Sequence, residues 1–202
     1  MNDHSIIPAK QSGKQVDLFE EVELADSREA ADIFAGARRK LLHPVIWKPM
    51  TGQLAADFAK PDPRDKREVL TGDYIRIDIP APGLSAGDGH DWVKVESKKE
   101  NIDPGADESL ALTVKVCENP GHPEKGVAHF FAEGATSTFM IIRKGNTIRA
   151  SYHGRNEKPN LDNPALGDKI RNAVVAIGAM AGISELQWKA FLKGLLAGQQ
   201  DL

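Results

Sequence analysis

Cysteine is nearly missing from this chain: Cys117 stands alone among 202 residues. It has no partner for an intramolecular disulfide, so no disulfide framework holds the fold. No secretory leader is expected at the start of this sequence, because MNDHSIIPAKQSGKQVDLFEEVE has no basic segment followed by an apolar one. The longest apolar run, AVVAIGAMAGI, falls short of the roughly 20 residues of a membrane span. It reads as a buried helix. Nor does one charge dominate: 26 Lys and Arg meet 29 Asp and Glu, a net charge of -3. That balance argues against a surface given over to nucleic acid or anionic lipid, while leaving room for a local basic face. No internal repeat and no low-complexity tract stands out. These absences point to a cytoplasmic protein with no membrane segment, no cofactor motif and no nucleic-acid partner.

What is present is globular. A hydrophobic fraction of 41% and a charged fraction of 27% suit one domain with a proper core. Residues 1–25 read as an arm, polar at first and then acidic through VDLFEEVELADS, and residues 26–202 as a single domain. The first helix is expected to start at Asp26 or Ser27; with Asp26 as N-cap, Glu29 falls at N3. Ala30, Ile33, Phe34, Ala37 and Leu41 then form one apolar stripe, and Pro44 ends it. The stretch VIWKPMTGQLAADFAKPDPRDKREVLTG reads as an irregular connection with a short strand at Ile46 and Trp47.

A β-rich core is expected over about 72–153. Ile75, Ile77 and Ile79 alternate with polar residues, as do Val93 and Val95. Leu110, Leu112, Val114 and Val116 share a face, with Cys117 on the other. In IIRKGNTIR, Gly145 and Asn146 mark a tight hairpin. Short strands, each followed by a turn, predict an antiparallel sheet or small β-barrel. A helical hairpin is expected over about 164–197. Its first helix starts at Asn163–Pro164 and carries Leu166, Ile170, Ala173, Val174 and Ile177; Gly182 stops it. Its second has a Ser184/Gln187 capping box and a broad face of Trp188, Phe191, Leu192, Leu195 and Leu196. The fold class is therefore α+β, with an N-terminal helix and a C-terminal helical hairpin beside the sheet.

Several motifs tempt and then fail on context. GLSAG, residues 83–87, matches G-x-S-x-G, but loop and strand follow it where a nucleophile elbow needs a helix, so Ser85 reads as a loop residue. Cys117, His122, His129 and Glu133 lie in one region without any metal-ligand spacing, and Cys117 reads as a packing thiol. AIGAMAGISELQWKAFLKG resembles a helix-turn-helix. That resemblance implies a second helix in the major groove, but this one offers Lys189 and Lys193 with no arginine and carries Glu185 in its first turn.

The segment ASYHGRNEKPN, residues 150–160, is the densest collection of functional groups. As a strand it puts Tyr152 in the core. Arg149, Ser151 and His153 lie on the polar face, with Arg155 and Glu157 continuing the count. An Arg–His pair there suits an anionic group. No catalytic residue is assigned. The leading expectation is a non-enzymatic binding or assembly module, such as a subunit of a complex, with Trp188, Phe191, Leu192 and Leu195 as the face for a protein partner or a second copy. Two rivals are a small hydrolase or lyase using His153, Arg155 and Glu157, and a DNA-binding regulator.

Overall fold

The alternating segments become a seven-stranded antiparallel sheet in the computed structural model, which describes residues 6–51, 56–78, 87–103, 105–160 and 185–198. Its strands are β1 (Lys14–Glu23), β2 (Asp57–Ala59), β3 (Tyr74–Asp78), β4 (Asp91–Asn101), β5 (Glu108–Val116), β6 (Thr136–Lys144) and β7 (Thr147–Glu157). Their order is β1-β7-β6-β5-β4-β3-β2, which leaves β1 and β2 as edges. Helix α1 (Ser27–Leu41) follows β1, the short α2 (Lys48–Thr51) precedes β2, and residues 185–196 form α3. The α+β antiparallel expectation holds. Of the helical hairpin only α3 falls within the described residues; the first helix, from Leu166 to Ile177, and Ser85 lie outside them. Among the described residues no helix is long and apolar enough to cross a membrane.

Two segments differ from the sequence reading. Residues 14–23, assigned to the arm, are β1, paired with β7 from Glu23↔Thr147 to Lys14↔Glu157. Val16, Leu18 and Val22 alternate toward the core, a period that the intervening carboxylates conceal. Ile46 and Trp47 are not a strand. Pro44–Ile46 is a 3-10 turn closed by the Trp47 amide on the Pro44 carbonyl, and the short strand of that region is β2. The described part of the remaining arm, from Ile6 onward, is anchored as well. Ile6 is buried against Ala111 and Met140 on the outer face, and the amides of Gln11 and Ser12 donate to Asn156 Oδ1.

The inner face of the sheet meets the helices. Asp26 accepts from the Arg28 and Glu29 amides and starts α1, whose Ala30, Phe34, Ala37 and Leu41 are buried. The opposing strand residues include Ile75, Val93, Leu112, Phe139, Ile141, Ile148 and Tyr152. The β6–β7 hairpin turns through Gly145 and Asn146 as expected, with Gly145 at φ 58. Trp47 joins the layers. Its ring lies 5.1 Å from Phe58, 5.4 Å from Phe139 and 5.1 Å from Phe191, and its Nε1 donates to the Lys40 carbonyl at 3.0 Å. Lys40 in turn donates its ammonium to the carbonyls of Gly194 and Ala197, closing the C-terminal end of α3.

Trp47→Ala empties the meeting point of sheet, α1 and α3. The expected cost is about 3–5 kcal/mol of folding free energy, measured by urea unfolding.

Candidate functional site

The polar end of β7 divides into two systems on opposite faces. On the outer face His153 stands opposite Asp17 of β1 and Thr138 of β6. Its Nδ1 lies 2.6 Å from Asp17 Oδ1 and its Nε2 3.0 Å from Ser151 Oγ. With the carboxylate on Nδ1, that nitrogen carries a proton, and Nε2 shares a hydrogen bond with the Ser151 hydroxyl. Arg155 Nη2 donates to the same Asp17 oxygen at 2.7 Å, while its Nη1 donates to the carbonyls of Val16 and Gly154. Burial pushes the Asp17 carboxyl up, but hydrogen bonds from Gln15, His153 and Arg155 outweigh it and hold the pKa down at about 2. Arg149 is exposed, paired with Glu21 at 2.7 Å and lying over the Phe19 ring.

Arg149, Ser151, His153 and Arg155 therefore do share a face, but Arg155 is 7% exposed and is not the surface group expected. Asp17, which completes the set, was hidden in the supposed arm; the V-D-L alternation of β1 is the signal that finds it.

Glu157 departs from this face. The register shifts between Lys14 and Val16, and Asn156 takes φ 59, so the simple strand count fails at this point. Glu157 turns inward, where its Oε1 accepts from the Tyr152 hydroxyl at 3.2 Å. Ser137 Oγ lies 3.2 Å from the same hydroxyl, and Trp188 stacks on the Tyr152 ring at 5.1 Å. Burial raises the pKa of Glu157, and burial followed by the Glu157 charge raises that of Tyr152. The His153/Arg155/Glu157 constellation proposed for a hydrolase or lyase is therefore not assembled.

The face offered to a partner is also spent. Phe191, Leu192 and Leu195 are fully buried against this chain's own sheet, and Trp188 is half-buried there. Periodicity showed the width of that stripe but not what covers it. Lys189 and Lys193 are exposed on the other side of α3, and Glu185 pairs with Lys14.

Two further clusters carry chemistry. Asp91 is 2% exposed, accepts from the Phe130 amide at 3.1 Å, and is pushed by burial to a pKa of about 7. Its Oδ2 lies 3.9 Å from Nδ1 of His129, which accepts from the Phe131 amide and is held by burial down at about 3. Cys117 packs with Trp92 and Ala128, and burial, with Glu118 adding to it, pushes its thiol up to about 12, which keeps it protonated. Among the described residues no three His, Cys, Asp or Glu side chains converge on a metal position.

The second cluster is a groove of about 330 Å³ between the end of α1 and the β2–β3 connection, at the sheet edge opposite β1. Pro44, Val45, Ile46, Ala59 and Pro63 give it apolar lining, and Arg39, His43 and Lys66 polar lining. Lys60 and Arg67 also border it, but Lys60 pairs with Asp65 and Arg67 forks onto Asp73. Arg39 and Lys66 are exposed and make no ion pair among the described residues. Sequence reasoning did not find this groove, because its lining comes from separate irregular segments.

No protein-family model matches the chain, and no curated protein matches it. Among solved structures it is similar to a hypothetical protein from Helicobacter pylori, with 13% identity, a TM-score of 0.50, and coverage of 96% of this chain and 91% of that one. A protein from Thermus thermophilus is similar at 14% identity and a TM-score of 0.42, over 91% of this chain and 94% of that one. At such identities the first likeness speaks to the fold alone.

A Cβ at Gly154 would lie 2.1 Å from Glu157 Oε1. Gly154→Ala is expected to expel that carboxylate and destabilise the fold by about 1–3 kcal/mol. Adding Glu157→Ala should recover part of the loss in a double-mutant cycle by urea unfolding. Asp91 predicts a pH dependence. Its folded pKa of about 7 stands above the unfolded value of about 4, so the native state binds more protons between them and stability falls as pH rises through that window. Asp91→Asn should remove that part of the fall in melting temperature between pH 5 and 8. It should leave the acid-side loss from His129, whose lowered pKa works in the opposite sense.

Proposed function

We propose that this chain is a non-catalytic binding module whose ligand lies in the groove between α1 and the β2–β3 connection. The observation that carries this reading is the pair of cations, Arg39 and Lys66, left without counter-charges among the described residues beside apolar side chains in a concavity of about 330 Å³. Small-molecule sites occupy about 300–1,000 Å³ and combine apolar walls with a few polar groups.

One geometry favours a second reading, hydrolysis: the hydrogen-bond chain from Ser151 through His153 to Asp17. Its surroundings weigh against it. Ser151 is 7% exposed in mid-strand, flanked by paired strands β1 and β6. An oxyanion needs donors aimed at it, and backbone groups there serve the ladders. Arg155 also holds Asp17, so the set is better suited to fastening edge strand β1 than to moving a proton.

Two measurements separate the readings. A small-molecule screen on ¹⁵N-labelled protein should give saturable shifts at residues 43–46 and 59–67, abolished when Ala59→Trp fills the groove. A fluorophosphonate probe should leave Ser151 unlabelled. Stoichiometric labelling that disappears in Ser151→Ala would instead establish the hydrolase.

A further inference from the structure

We infer that the groove selects a small phosphate monoester with an apolar body; this rests on the binding reading above. The charge arithmetic is local. Lys60 is a post within the wall: its ammonium holds Asp65 Oδ1 at 3.2 Å and the carbonyls of Arg67 and Glu68. Arg67 forks onto Asp73 at 2.7 and 2.8 Å. The remaining wall carboxylate, Asp62, is engaged by the Arg64 side chain at 3.0 and 3.1 Å. What is left over among the described residues is Arg39 and Lys66, two positive charges. A phosphate monoester carries about -1.5 to -2 near neutral pH and matches them, with the arginine fork suited to its oxygens.

The opposing field is also reduced. The groove lies at the C-terminal end of α1, where unpaired carbonyls carry partial negative charge and would repel an anion. Here the carbonyls of Arg38, Arg39, Lys40 and Leu42 have donors. The Leu42 amide takes Arg38 O at 3.1 Å, His43 Nδ1 takes Arg39 O at 2.7 Å, Trp47 Nε1 takes Lys40 O at 3.0 Å and the Val69 amide takes Leu42 O at 3.0 Å. The His43 bond to a carbonyl fixes a proton on Nδ1. Val45, 60% exposed, and its neighbours Ile46 and Ala59 supply the surface for the apolar body.

The test is an NMR titration of the ¹⁵N-labelled full chain with hexyl phosphate, hexanol, hexylammonium and inorganic phosphate. Saturable shifts at residues 43–46 and 59–67 with hexyl phosphate are expected, with each other probe binding at least tenfold more weakly. The Arg39→Gln/Lys66→Gln double variant, both positions being exposed, should keep its dispersed spectrum and lose at least tenfold in affinity. If hexanol or hexylammonium binds the groove as tightly as hexyl phosphate, the binding reading stands and anion selection is overturned. If the double variant binds hexyl phosphate unchanged, anion selection is likewise overturned. If no probe gives saturable shifts at the groove, both are overturned.

Discussion

Asn156 governs the end of the molecule on which most of the polar chemistry converges. It holds the left-handed conformation at φ 59, which asparagine tolerates better than most residues. Its side chain stays in use as well: Oδ1 accepts the Gln11 and Ser12 amides, and Nδ2 donates to the Gly134 carbonyl. One residue thus ties β7, the N-terminal segment and the β5–β6 connection together. The same irregularity sends Glu157 inward to Tyr152 while Arg155 stays outside with Asp17. Gly154 completes the arrangement, since only a residue without a side chain leaves room for the Glu157 carboxylate.

The two polar systems are consequences of that geometry. On the outer face Asp17 gathers His153, Arg155 and Gln15, and the bonds from His153 and Arg155 fasten edge strand β1 to β7. On the inner face the Tyr152–Glu157 pair and Trp188 seat α3, whose far end is closed by Lys40. Buried polar groups that satisfy one another specify a unique packing. The groove at the opposite edge differs in kind, because its two cations face solvent with no internal partner among the described residues.

Much of the fold was legible in the sequence. The Asp26 cap, the α1 stripe, the alternation of β3 to β5 and the Gly145–Asn146 turn follow from local rules that the structure obeys. β1 escaped because Asp17, Glu20, Glu21 and Glu23 make an edge strand look like a solvated tail; charge on an edge strand is a guard against unwanted pairing. β2 is three residues long, too short for any period to show. The site was less legible. The strand count placed Ser151, His153 and Arg155 correctly together and failed at Glu157, because one left-handed residue breaks the parity. The apolar face of Trp188, Phe191, Leu192 and Leu195 carries the same pattern whether it packs on its own sheet or on a partner. The groove brings Arg39 and Lys66 together through tertiary packing, which no local pattern encodes.

The central claim is that β7 holds Asp17 and Glu157 in opposite environments on opposite faces. Side-chain carboxyl ¹³C titration of the two residues tests it directly. The structure predicts that Asp17 is half-protonated only near pH 2, while Glu157 titrates above the ordinary glutamate range. Ordinary values for both, or a depressed Glu157 beside Arg155, would mean that the strand runs on without its irregularity and that the two carboxylates share the outer face.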